Sequence, residues 1–181
     1  MLFATTRLSR GLPVTALAAL LAGLVPVTPA LASPPGTWTP AASMHQSRDR
    51  FSGVLLPSGK VLVAGSWLAS NSAELYNPTN NTWAVTGSMI QGRSEFKAVL
   101  ISNGTVLAAG GFTGTFPTAK AEIYNPSTGT WSATGNMTVA RCSYVAAPLP
   151  NGEILVAGGA TAERQLGVTA SAEIYNPATG T

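Results

Sequence analysis

Short apolar runs recur along this chain, each closed by polar turn residues, and they recur in the same order three times. The first run of each set covers Phe51–Leu56, Phe96–Ile101 and Tyr144–Leu149. A turn follows at Pro57-Ser58-Gly59, Ser102-Asn103-Gly104 or Pro150-Asn151-Gly152, where glycine supplies the positive φ that a tight hairpin needs. Unbroken apolar stretches come next, at Val61–Gly65, Val106–Gly110 and Ile154–Gly158; such runs suit a strand buried on both faces. The third piece reads Ala-Glu-Leu-Tyr or Ala-Glu-Ile-Tyr, starting at Ala73, Ala121 and Ala172. It stops at Asn-Pro each time, because proline cannot continue a central strand. The fourth piece carries Trp83 or Trp131. Each set therefore predicts a four-stranded antiparallel meander.

The tryptophans Trp38, Trp83 and Trp131 mark periods of about 45 to 50 residues, and repeats of that length built from short strands indicate propeller blades. Met44, Met89 and Met137 follow them at one fixed offset, and Arg48, Arg93 and Arg141 at another. The pattern resembles the kelch repeat family, in the variant common in secreted bacterial proteins. The residues that carry the resemblance are Gly110-Gly111 and Gly158-Gly159, the tyrosines Tyr76, Tyr124 and Tyr175, and the tryptophans. Ser66 departs from it, standing where the family has a second glycine. The resemblance implies an all-β fold: a kelch-type β-propeller of four-stranded antiparallel blades, with about three blades present. The repeats run over about 38–82, 83–130 and 131–181.

At the start of the repeat region, Gly36-Thr37-Trp38 matches the fourth strand of a blade, and Tyr144–Thr181 matches the first three. The two pieces are complementary halves of one blade. Three blades fall short of the four to eight typical of propellers. Two expectations follow: the chain is a fragment of a six- or seven-bladed protein, or it forms a homodimer closing a six-bladed ring.

Residues 1–32 read as a secretory leader, with Arg7 and Arg10, an apolar stretch from Leu12 to Val27, and Ala30-Leu31-Ala32 as the cleavage site. Residues 33–37 are a linker. The apolar stretch is short for a span and holds Pro13 and Pro26, so no membrane attachment is expected after cleavage and the mature protein is expected outside the cell. The whole chain has ten Lys plus Arg against seven acids. Loss of Arg7 and Arg10 leaves a near balance, which gives no case for nucleic acid. Cys142 is the only cysteine, so stability rests on packing and strand pairing rather than a disulfide. A tolerant position near the surface is expected for it.

In an up-and-down blade, the turns between the first and second strands and between the third and fourth share one face. Those turns are nearly constant here and read as structural. The loops between the second and third strands, on the other face, differ in length and content: Ser66–Ser72, Phe112–Lys120 and Ala160–Ser171. Binding collects on variable loops held by a rigid scaffold. Trp67, Phe112, Phe116, Lys120, Glu163, Arg164 and Gln165 are therefore candidate ligand contacts, Trp67 foremost as a flat platform for a sugar or an apolar side chain. Arg48, Arg93 and Arg141 recur once per blade, as do Glu74, Glu122 and Glu173. A repeated structural pairing is favoured over an anion-binding ring, and arginine suits a buried, forked contact.

No catalytic constellation is visible, and no metal or other cofactor is expected. His45 is the only histidine. The kelch resemblance brings in copper-radical oxidases with a Cys–Tyr crosslink, but here Cys142 and Tyr144 lie on one strand and the histidine ligands are missing. The Asn-x-Thr sequences at Asn80, Asn103 and Asn136 sit in predicted turns. The reading is a secreted scaffold, not an enzyme, that binds protein or carbohydrate through its variable loops. The alternative is the propeller portion of a carbohydrate-active enzyme, galactose-oxidase-like or sialic-acid-epimerase-like, with its catalytic residues outside this chain.

Overall fold

The computed structural model describes residues 36–67, 70–162 and 167–181. The leader, most of the linker, and the loop candidates Glu163, Arg164 and Gln165 lie outside the described residues. The chain divides into two units, residues 1–39 and 40–181. Of the first, only residues 36–39 are described, and they belong to no strand.

Residues 40–181 form three antiparallel sheets. The first is β1 (Ser52–Leu55), β2 (Val61–Ala64), β3 (Ala73–Asn77) and β4 (Thr82–Thr86). The second is β5 (Lys97–Leu100), β6 (Val106–Ala109), β7 (Ala121–Asn125) and β8 (Thr130–Thr134). The third is β9 (Val145–Pro148), β10 (Ile154–Ala157) and β11 (Ala172–Tyr175). Strand order follows chain order within each sheet, and the registers repeat: Tyr76 opposes Trp83 as Tyr124 opposes Trp131. The first strands lie side by side, β1 next to β5 and β5 next to β9, so they are the inner strands around which the blades are arranged.

The cores lie between the sheets. Leu62, Ala64, Ala73, Met89, Phe96, Val106, Ala108, Tyr124 and Trp131 fill the space between the first and second blades. Val99, Ile101, Leu107, Ala109, Ala121 and Ile154 fill the next. Every residue of β6 is buried, as its apolar run on both faces requires. In β10 burial alternates.

The double glycines leave the second strand in the left-handed region, Gly110 at φ +57 and Gly111 at +101, with Gly158 and Gly159 alike. A Cβ on Gly111 would stand 2.7 Å from Ser94 O, and one on Gly159 would stand 2.6 Å from Cys142 O. In the first blade Ser66 instead accepts the Asp49 N–H on its hydroxyl at 3.2 Å. The departure from the family pattern thus changes how that loop is tied down.

Candidate binding rim

Each blade is fastened by an arginine and a glutamate. Arg48, Arg93 and Arg141 have no exposed side-chain surface and pair with Glu74 at 3.0 Å, Glu122 at 2.5 Å and Glu173 at 2.8 Å. Each arginine also donates to two carbonyls that flank the variable loop: Gly65 and Ser72, Gly110 and Lys120, Gly158 and Ser171. Each glutamate accepts two backbone N–H groups from the segment before the arginine, those of His45 and Gln46, Ile90 and Gln91, or Thr138 and Val139. Burial pushes the Glu74 and Glu173 carboxyls up, but these hydrogen bonds outweigh it and hold both below the usual carboxylate range. The guanidinium groups are buried and paired with the glutamates inside the blades, Arg48 Nε alone having no partner, so a structural role suits them better than an anion site.

The tryptophans tie successive periods. The Trp83 indole donates to Ala42 O and that of Trp131 to Gly87 O, both at 2.8 Å. Each lies tilted on the tyrosine opposite, Tyr76 or Tyr124. Trp38 differs. It is fully exposed, and residues 36–39 belong to no strand. Cys142 also departs from expectation: it is buried, not near the surface. Its strand-like bridge to Ala160 draws it inward, and burial, with the Glu95 charge beside it, pushes its thiol up to about 11.

Two residues beyond each arginine, at the approach to the inner strand, stand Arg50, Glu95 and Ser143. All three have positive φ, 50, 54 and 51. They form a row across the three blades. Glu95 N donates to Arg50 O at 2.8 Å, and Ser143 N donates to Glu95 O at 2.9 Å. The side chains repeat the linkage: Arg50 donates to one Glu95 oxygen and Ser143 to the other, both at 2.6 Å. Burial raises the Glu95 carboxyl, and the bonds from Ser143 and Arg50 outweigh it, leaving a depressed pKa.

The variable loops meet this row. Trp67 N donates to Asp49 O at 3.0 Å, and the Arg50 guanidinium lies 4.0 Å from the centre of the Trp67 ring. Phe112, the counterpart of Trp67 one blade on, lies nearly parallel to it with ring centres 6.4 Å apart. Trp67 keeps 42% of its surface exposed. Beside the row, Arg50, Phe51, Glu95, Lys97, Ser143 and Tyr144 line an open cavity of about 490 Å³. The Tyr144 hydroxyl donates to Ala109 O and accepts from Lys97 N, so it is structural.

Of the loop candidates, the rim brings together Trp67 and Phe112. Phe116 is exposed at the tip of the β6–β7 loop, held by Thr113 bonds to its carbonyl. Lys120 is exposed and lines a different groove with Ile90, Gln91 and Asn136. Sequence reasoning missed Arg50, Glu95 and Ser143. They differ from period to period, but so do their neighbours Asp49, Ser94 and Cys142, so variation alone does not single them out.

Four-stranded meanders set side by side around inner first strands, each with the same arginine staple, define blades of a β-propeller. Residues 95–138 match the Kelch motif family, and the three antiparallel sheets have the form of blades of a partial kelch-type β-propeller. A comparison with curated proteins gives no match.

Proposed function

We propose that this protein is a secreted scaffold without catalytic chemistry of its own, and that it binds an extracellular ligand at the rim formed by Trp67, Phe112, Arg50, Glu95 and Ser143. The observation that carries this reading is the choice of residue at the left-handed positions. Holding a non-glycine residue there costs on the order of 1–3 kcal/mol. In the turn between the third and fourth strands, where only the backbone shape matters, the chain uses Asn81, Gly129 and Gly180. At the rim none of the three is glycine or asparagine, and their side chains are an arginine, a glutamate and a serine aligned beside an aromatic pair. The side chains are retained against the strain.

The rim offers a flat apolar platform edged by charged hydrogen-bonding groups. That suits a sugar ring or an aromatic side chain of an extracellular protein, each of which presents an apolar face and polar edges. Arrays of oligosaccharides and of peptides, probed with the secreted protein and with Trp67→Ala, test the reading and separate the two sources. Signal lost in the variant supports it. Binding that is equal in the two proteins, or no binding on either array, overturns it.

A further inference from the structure

The cavity beside the rim row is built by all three blades, and its charges do not balance. Arg50 and Phe51 come from the first blade, Glu95 and Lys97 from the second, Ser143 and Tyr144 from the third. Its one carboxylate is already answered. Arg50 Nη1 donates to one Glu95 oxygen and the Ser143 hydroxyl to the other. Its two cations are not used up. Arg50 commits only Nη1 to a hydrogen bond among the described residues, and 49% of its side chain is exposed. Lys97 is exposed, and no described residue holds its ammonium group in a hydrogen bond or an ion pair. Two cations against one carboxylate leave the cavity positive, and a concave site lined by one sign of charge concentrates ligands of the other.

The fold does not need the lysine. Lys97 opens β5, the middle one of the three inner strands. Its repeat counterparts are Ser52 and Val145. Ser52 is buried and accepts Ala98 N on its hydroxyl at 2.8 Å, and Val145 is exposed. Neither supplies a charge. Lys97 itself is tied down through its backbone, whose N–H donates to the Tyr144 hydroxyl at 3.2 Å. Its side chain therefore stands in the cavity with no structural duty.

We propose that the rim selects a carboxylate-bearing sugar, a hexuronate unit of an acidic polysaccharide, whose carboxylate is taken by Arg50 and Lys97. This inference rests on the rim being the binding site, and it names what that site prefers. The free groups match such a ligand. A guanidinium fork fits a carboxylate. Both Glu95 oxygens keep lone pairs that can accept from ring hydroxyls. Phe51, at the cavity wall and 38% exposed, and Trp67 offer apolar faces for the sugar ring. An acidic peptide fits less well. Extended peptides are held along a groove or an open strand edge, whereas this site is one cavity of about 490 Å³, the size of a small-molecule site.

Calorimetric titration of the secreted protein with a galacturonate oligomer, and with the same oligomer after its carboxyls are reduced to alcohols, tests the proposal. Lys97→Met and Lys97→Arg are titrated alongside, and both should melt with the parent. The acidic oligomer should bind at least about tenfold more tightly than the reduced one, as a charge-assisted hydrogen bond requires. Lys97→Met should lose that preference and Lys97→Arg should keep it, and added salt should weaken it. Equal affinity for the two oligomers, acidic-oligomer binding unchanged in Lys97→Met, or tighter binding of polyglutamate than of either oligomer overturns the proposal. If the reduced oligomer binds as well as the acidic one and Trp67→Ala abolishes both, the rim reading stands and this inference fails. If neither oligomer binds, this inference fails, and the arrays decide the rim reading separately.

Discussion

Replacing Arg93 with methionine removes one staple while keeping much of its length and apolar stem. Arg93 Nη1 and Nη2 serve Gly110 O, Lys120 O and Glu122, and Nε reaches Gln91 O at 3.3 Å. Glu122 has 3% of its side chain exposed. It would keep its two backbone donors but carry an unneutralised charge. Breaking a buried pair from one side costs about 3–5 kcal/mol, because the remaining charge stays out of water. That is a large share of the roughly 5–15 kcal/mol that holds a typical domain folded. Glu173 is 19% exposed, so water can reach it, and Arg141→Met should cost clearly less. Arg93→Met together with Glu122→Leu should recover part of the loss, since no buried charge is then left alone. Urea unfolding measures all of these, with the slope checked for constancy so that midpoints translate into stability. Equal losses for Arg93→Met and Arg141→Met, or a loss under about 1 kcal/mol for Arg93→Met, would show that charge burial is not what the staples contribute.

Trp131→Ala should cost about 3–5 kcal/mol as a large buried aromatic, while Trp67→Ala should leave the melting temperature nearly unchanged; equal shifts in a thermal melt would refute the division between core and rim. Stability should fall with acid. Glu74, Glu95 and Glu173 have folded pKa values below the ordinary 4.5, so their contribution is complete above that pH and is lost as pH drops through the folded values. Urea midpoints from pH 7 down to pH of about 3 test this, and a flat profile would contradict it. Cys142, with its thiol pushed up to about 11, should resist a thiol reagent at pH of about 8 in the native protein and react fully in denaturant. Fast native labelling would place it at the surface after all.

The strands and blades were legible because two independent signals agree. Turn glycines and Asn-Pro stops mark where strands end, and the apolar runs between them are of strand length. Arg93 and Glu122 could be related because both types recur once per period at fixed offsets, and a bond made in every blade must repeat in the sequence. The rim was not legible in that way. Nothing in the letters Arg, Glu and Ser announces a left-handed φ, whereas Gly129 and Asn81 in their turn do. Period counting also misleads where a residue's surroundings are not themselves repeated. Trp38 carries the same flanking letters as Trp131, yet it is exposed and lies in no strand, whereas Trp131 lies in β8 and is buried. Cys142 erred in the opposite sense. Its counterparts Asp49 and Ser94 are polar, which suggested an accessible site, but the bridge from Cys142 to Ala160 follows the close approach of Gly159 to the backbone. The same approach at Gly111 buries Ser94, whereas Asp49, in the blade where Ser66 replaces the glycine, is exposed. The rim positions repeat their backbone geometry, a left-handed φ, yet carry Arg50, Glu95 and Ser143 in place of the glycine or asparagine that suits it, and that departure underlies the functional reading.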